Sequence, residues 1–198
     1  MNKRQLEILI QKLNGKPSYN NALEQYDTDP SVVSEIAFTA FLQGNVEGKD
    51  VIDLGTGNGA FAYAAAMLGA KRVLAVDIDP ESIAVAKANC EGLGIEFQAS
   101  DVRGVTGAFD TCFMNPPWGS VIRDADIPFI EVALMTSKVI YSIHNEKGSD
   151  YVRQLLSARG NILAEKHISL KSKRRYPHHR KEMERISAVL FITASGND

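Results

Sequence analysis

The chain is poor in cysteine and in tryptophan: of 198 residues, two are Cys and one is Trp. Cys90 and Cys112 stand far apart with no Cys-x-x-Cys spacing. That excludes a cysteine zinc site within the chain and speaks against a disulfide framework. A reducing cytoplasm is the expected setting. Long apolar runs are missing too. The longest uncharged stretch beside the motifs, Leu54 to Ala70, is broken by Thr56, Asn58 and Tyr63. It is too short and too polar for a membrane helix, which needs about 20 apolar residues. The opening Met1-Asn2-Lys3-Arg4-Gln5 leads into an amphipathic pattern and not an apolar export signal. Repeats and low-complexity linkers are absent. What remains is ordinary soluble composition, 44% apolar and 23% charged. A chain of this size can bury about 70% of its unfolded surface, and one domain is expected over residues 1–198.

Net charge is −2, but it is unevenly spread. Lys166 to Arg185 holds eight Lys and Arg against two Glu, a net of +6. The rest of the chain holds 14 basic against 22 acidic side chains, a net of −8. A charge run is often only a solvated loop. Here Tyr176, His178 and His179 are interleaved with the basic residues, which suits a polyanion better. Lys171, Lys173, Arg174, Arg175, His179, Arg180 and Lys181 are therefore candidate nucleic-acid contacts, and RNA is the expected partner.

Residues 1–48 read as a helical extension. Leu6, Leu9, Ile10 and Leu13 recur at helical spacing until Gly15, and Pro30 opens a second helix through Phe41. From Lys49 the rhythm alternates. Strands are expected at 51–54, 73–77, 95–99, 111–114, 138–143, 162–170 and 186–193. Helices are expected at 60–68, 80–90, 126–136 and 151–158. This predicts an α/β fold, a doubly wound, mostly parallel seven-stranded sheet covering 49–198. The last two strands are joined by the basic stretch and not by a helix, so an antiparallel strand is expected at one edge.

The first strand runs into Asp53-Leu54-Gly55-Thr56-Gly57-Asn58-Gly59, where such sheets bind ligands. Glycines there let backbone approach a ligand closely. Gly55-x-Gly57-x-x-Ala60 fits the dinucleotide fingerprint, which alone is a weak signal. Asp53 would sit poorly beside a pyrophosphate and suits a ligand with positive charge, such as the sulfonium and ammonium of S-adenosylmethionine. Asp77 ends the second strand and can accept hydrogen bonds from ribose hydroxyls. Asp101, after the third, can accept from the adenine amino group. Ile78 and Val102 follow them and join the expected cofactor contacts. A lone Asp of this kind is most often a turn or cap; three after successive strands are not. The pattern resembles class I methyltransferases, a Rossmann-like fold, from Lys49 to about Thr193.

The fourth strand ends in Asn115-Pro116-Pro117-Trp118, facing the expected methyl donor. An exocyclic amino or amide nitrogen is a poor nucleophile because its lone pair is delocalised. Acceptors aimed at its two N–H bonds hold that lone pair toward the methyl group. The side-chain oxygen of Asn115 and the main-chain oxygen of Pro116 can supply them. Pro117 stiffens the loop. Trp118 offers a stacking face worth roughly 1–3 kcal/mol. No metal is required. His178 and His179 are adjacent, so both cannot face one site from a strand, and no third ligand accompanies them. His144, after the fifth strand, is expected to be a hydrogen-bonded structural histidine.

Asn-Pro-Pro-aromatic resembles the amino-group methyltransferases of adenine, guanine or glutamine amide. Five flanking strings narrow this: Leu23-Glu24-Gln25-Tyr26-x-Thr28-x-Pro30, Ala66-Met67-Leu68-Gly69-Ala70, Asp77-Ile78-Asp79, Tyr141-Ser142-Ile143-His144 and Tyr176-x-x-His179-Arg180-Lys181. Together they resemble the methyltransferase-like adenine-N6 methylases of small-subunit ribosomal RNA. The resemblance implies that Gln25 and Thr28 close over S-adenosylmethionine and that Asn58 and Ala60 join the cofactor loop contacts. It also implies a small zinc-binding activator protein for the animal members, which no residue here demands. Trp118 departs from the more usual Phe or Tyr. A glutamine-amide methylase of release factors leaves the basic arm without a role. A non-catalytic nucleic-acid binder leaves the intact Asp53, Asp77, Asn115 and Trp118 unexplained. A dinucleotide oxidoreductase leaves Asn115 to Trp118 unexplained.

Overall fold

The structure, a computed structural model, describes residues 1–18, 20, 23–25, 27–119, 121–173 and 183–196, with backbone alone for 171–173 and 183–184. Two helices lead. In α1 (Lys3–Ile10) Asn2 and Gln5 form a reciprocal cap, and in α2 (Pro30–Leu42) Asp29 caps a first turn that opens on Pro30. An alternating series follows: β1 (Asp50–Leu54), α3 (Ala60–Met67), β2 (Arg72–Asp77), α4 (Pro80–Asn89), β3 (Glu96–Ala99), β4 (Phe109–Met114), α5 (Ile127–Thr136), β5 (Ser137–Asn145) and α6 (Ser149–Arg159). The hairpin of β6 (Gly160–Lys173) and β7 (Met183–Ser195) completes the order.

These strands form one seven-stranded sheet in the order β3-β2-β1-β4-β5-β7-β6. Pairs from β3 to β5 are parallel. The expected reversal at one edge is supplied by the hairpin: β7 runs antiparallel to both neighbours and slots between β5 and β6. β1 is buried on both faces, as its short continuous apolar run dictates. Alternation along the strands splits the core. Val51, Phe113 and Tyr141 pack with α1, α2 and α3, whereas Ile52, Met114 and Ile140 pack with α5 and α6.

Two features position the site. The chain leaves β1 toward β2 and later returns to β4 on its other side, so a crevice opens at the carboxyl ends of β1 and β4. The hairpin also outruns the sheet. Pairing of β5 with β7 stops at Asn145 and Ala188, but β6 and β7 continue pairing out to Lys173 and Met183. Asn145 is the carboxyl end of β5, so this two-stranded ribbon projects on the crevice side. β5 also extends past its sequence-expected end and takes in His144.

Candidate active site

Between β1 and α3 the glycine loop is shaped from within. Gly59 caps α3 at φ +86°, and a Cβ there would stand 3.0 Å from Ala86 Cβ and 3.2 Å from Cys90 Sγ. Only glycine lets the loop lie this close to α4. Gly57, at φ +56°, has no atom within 4 Å of a Cβ position, and its N–H donates to Asp77 Oδ2 at 2.9 Å. The other Asp77 oxygen accepts from the Asp79 N–H at 3.0 Å. Burial raises the Asp77 pKa, against those two hydrogen bonds.

Asp53 lies behind the loop. Only 1% exposed, its Oδ2 accepts from Thr56 Oγ1 at 2.6 Å and from the Ala62 N–H at 3.0 Å. Burial pushes its pKa up to about 7. The sequence reading aims Asp53 at a cationic ligand; the structure turns it into its own loop, where two donors meet it.

A cavity of about 330 Å³ lies at the carboxyl ends of the strands. Gly55, Gly57, Asp77, Ile78, Asp101 and Val102 line one side of it; Asn115, Pro117 and the stretch from Ile122 to Phe129 contribute to the other. Five carboxylates (Glu24, Asp27, Asp77, Asp101 and Asp124) face three cations (Lys16, Arg103 and Arg123) around it. That excess of negative charge fits a cationic ligand, and the opening at Gly57 leaves room for one beside Asp77. Asp101 accepts from the Arg103 N–H at 2.9 Å and from its guanidinium at 3.1 Å.

The segment joining α1 to α2 crosses this cavity. Lys16, with a side chain 2% exposed, pairs with Asp79 and donates to Gln25 Oε1 at 2.7 Å. Gln25 Nε2 donates to Asp79 Oδ2 at 2.8 Å. Burial pushes the Asp79 pKa upward, but Lys16 and Gln25 outweigh it and hold the carboxyl well below its usual range. Thr28 Oγ1 accepts from Asn115 Nδ2 at 2.9 Å. That bond turns the nitrogen arm of the amide toward α2 and its oxygen arm the opposite way.

Of the sequence-expected residues, Gln25, Gly55, Gly57, Asp77, Ile78, Asp101, Val102, Asn115 and Pro117 share this cavity. Thr28 joins through Asn115. Asp53, Asn58, Gly59, Ala60, Pro116 and Trp118 do not line it. Trp118 is half-buried against the core, and its Nε1–H donates to the Ile143 carbonyl at 3.3 Å. His144 is buried in β5 with Nδ1 3.5 Å from Asp126 Oδ2; among the described residues its ring nitrogens have no hydrogen-bond partner. Burial lowers its pKa, against the opposing pull of the Asp126 carboxylate beside it. Arg174, Arg175, His179, Arg180 and Lys181 lie outside the described residues, and Lys171 and Lys173 are in β6 with backbone alone described. Lys16, Glu24 and Phe129 line the cavity without having been singled out from sequence. Glu24 lies within Leu23-Glu24-Gln25-Tyr26, whereas Lys16 carries no local signal.

The family model described as "Ribosomal protein L11 methyltransferase (PrmA)" matches residues 33–109. It covers Gly55, Gly57, Asp77, Ile78, Asp101 and Val102 of the cavity lining and stops before Asn115. An uncharacterized protein of Methanocaldococcus jannaschii is 31% identical, covering 96% of this chain and 92% of its own. An rRNA N(6)-adenosine-methyltransferase of Drosophila melanogaster is 29% identical over 98% of this chain and 97% of its own. A solved structure from Pyrococcus horikoshii, described as a candidate RNA methyltransferase, superposes with a TM-score of 0.91 at 31% identity, covering 98% of both chains. With its strand order, its glycine loop and its Asn-Pro-Pro-Trp turn, the chain belongs to the class I S-adenosylmethionine-dependent methyltransferases.

Proposed function

We propose that this methyltransferase modifies the exocyclic N6 of an adenosine in ribosomal RNA, in the small subunit. The observation that carries the reading is the seat of Asn115. It lines the cavity that also holds Gly57 and Asp77, and Thr28 fixes which arm of its amide faces away from α2. Full-length likeness to the Drosophila rRNA N(6)-adenosine-methyltransferase supports adenosine as the acceptor.

S-adenosylmethionine supplies an electrophilic methyl group on a sulfonium when bound. Asp77 would accept from its ribose hydroxyls, with Ile78 and Val102 against the adenine and the acidic rim favouring its positive charge. Asn115 Oδ1 would accept one hydrogen of the target amino group and aim its lone pair at the methyl, and the second acceptor this reading calls for is the carbonyl of Pro116, a residue next to the cavity wall but not in its lining. Pro117 removes slack from the turn, so these acceptors need no reorganisation during reaction. A stacking role for Trp118 falls to its exposed side, because the rest packs on the core. Water takes the proton after transfer.

The ribbon of β6 and β7 supports an RNA substrate. It projects on the cavity side with Lys171 and Lys173 in its outer part, and the basic run from Arg174 to Lys181 follows them in the sequence. No described helix is long and apolar enough to cross a membrane, and two unpaired, buried thiols fit a reducing cytoplasm. The deciding experiment is transfer of labelled methyl to purified ribosomal RNA of each subunit, followed by nucleoside analysis. N6-methyladenosine in small-subunit RNA is the expected product. Label only in large-subunit RNA overturns the subunit, and label only in protein glutamine overturns the substrate class.

A further inference from the structure

Glu24 is a charged residue on a left-handed backbone, φ +50°. Among the described residues only Asp124 shares this conformation without being glycine. Side chains there are rare unless surrounding contacts hold them. Its contacts are specific. Oε2 accepts from the backbone N–H of Trp118 at 2.9 Å, and Oε1 accepts from the backbone N–H of Val121 at 2.7 Å. One carboxylate thus spans the turn that follows Asn115. Its neighbour Gln25 reaches the other way, to Asp79 beyond the end of β2. Four residues on, Thr28 holds Asn115 itself.

We propose that Glu24 is a positioning residue for the methyl acceptor, its carboxylate clamping two amides of the Trp118–Val121 turn so that Asn115 and Pro116 present their acceptors in register. The proposal rests on the amino-group reading given above. The two prolines restrict Asn115 to Pro117, and Trp118 and Val121 lie beyond them. A carboxylate accepting two N–H donors is charge-assisted at both contacts and holds the turn at two points. The transition state then meets acceptors already in place, which bears on turnover more than on cofactor binding, to which Glu24 adds one of five rim carboxylates.

Two variants separate the parts. Glu24→Gln keeps the shape but sets an NH₂ against one of the two N–H groups. Glu24→Gly accepts the left-handed backbone freely and removes both contacts. With kcat read on RNA, both should fall roughly 10- to 100-fold. The KM for RNA should stay within about twofold, and the affinity for S-adenosylmethionine should fall by less than kcat does. The chain holds one tryptophan, Trp118, whose own amide is clamped. Its quenching by acrylamide should therefore rise in both variants, with circular dichroism unchanged.

This optical readout needs no RNA. If the wild type methylates no adenosine, the substrate reading fails while quenching still tests the clamp. Unchanged quenching in folded variants overturns the clamp, and raised quenching with normal kcat overturns its bearing on the reaction. Loss of fold in both variants overturns the local role, because Glu24 would then be serving the fold at large.

Discussion

Replacing Asp53 by Asn should change how stability depends on pH, by an amount set by burial. In the fold this carboxyl is 1% exposed. Burial lifts its pKa to about 7 against hydrogen bonds from Thr56 and Ala62, and the charge of Asp77 adds to the lift. In the unfolded chain the pKa returns to about 3.9. Between those values the folded protein keeps a proton that the unfolded chain has lost. Stability from this group is therefore greatest at low pH, falls as pH rises and levels off above about 7. At about 1.36 kcal/mol per unit, the span from about pH 5 to about pH 7 is worth about 2–3 kcal/mol. Asn keeps the shape, and its Oδ1 can take both donors, but it does not titrate. Variant stability minus wild-type stability should therefore widen by about 2–3 kcal/mol from about pH 5 to about pH 8. Urea unfolding at the two pH values measures it. The subtraction cancels groups common to both proteins, including His144, whose lowered pKa makes its own contribution rise with pH. Profiles parallel to within about 0.5 kcal/mol would refute the reasoning: burial would then not govern Asp53.

Three further outcomes follow from the site. Asp77→Ala should weaken S-adenosylmethionine binding roughly 10- to 100-fold by calorimetry, as a charged acceptor for the ribose is lost; unchanged affinity in a folded variant removes Asp77 from the site. Asn115→Ala should abolish methyl transfer while leaving cofactor affinity within about threefold, because its contact matters at the transition state; near-normal turnover sinks the acceptor role. Replacing Lys173, Arg174 and Arg175 together with Ala should weaken RNA binding and flatten its salt dependence, with fewer counterions released. The same triple variant should bind cofactor normally, and an unchanged salt slope would make the ribbon a solvated hairpin only.

Much of this molecule is written locally. Short, mostly apolar runs such as Val51 to Leu54 read as strands covered on both faces, and Pro30 and Pro80 mark helix starts because proline is at home in a first turn. The glycine loop, Asp77 and Asn115 were legible for the same reason: backbone freedom, a strand end and a stiff turn belong to adjacent residues. Asp53, Asp77 and Asp101 looked equivalent because each stands at or just beyond the end of a strand. Depth separates them, and depth depends on neighbours. Asp53 is met by Thr56 and the Ala62 amide, whereas Asp77 faces the cavity.

The same limit explains what was missed around the acceptor turn. Asn-Pro-Pro stiffens three residues, yet the direction of Trp118 is decided by the carbonyl of Ile143, on the next strand. Lys16 meets Asp79 across 63 residues, Thr28 meets Asn115 across 87, and Glu24 meets Val121 across 97. The segment that supplies all three partners has no helical or strand periodicity to betray its faces. Its role becomes visible only when the sheet brings the ends of β2 and β4 to either side of it. The acceptor turn is therefore stiff by local chemistry but oriented by distant chemistry. Perturbing Glu24 or Thr28 should change the aim of Asn115 without touching the motif by which the turn is recognised.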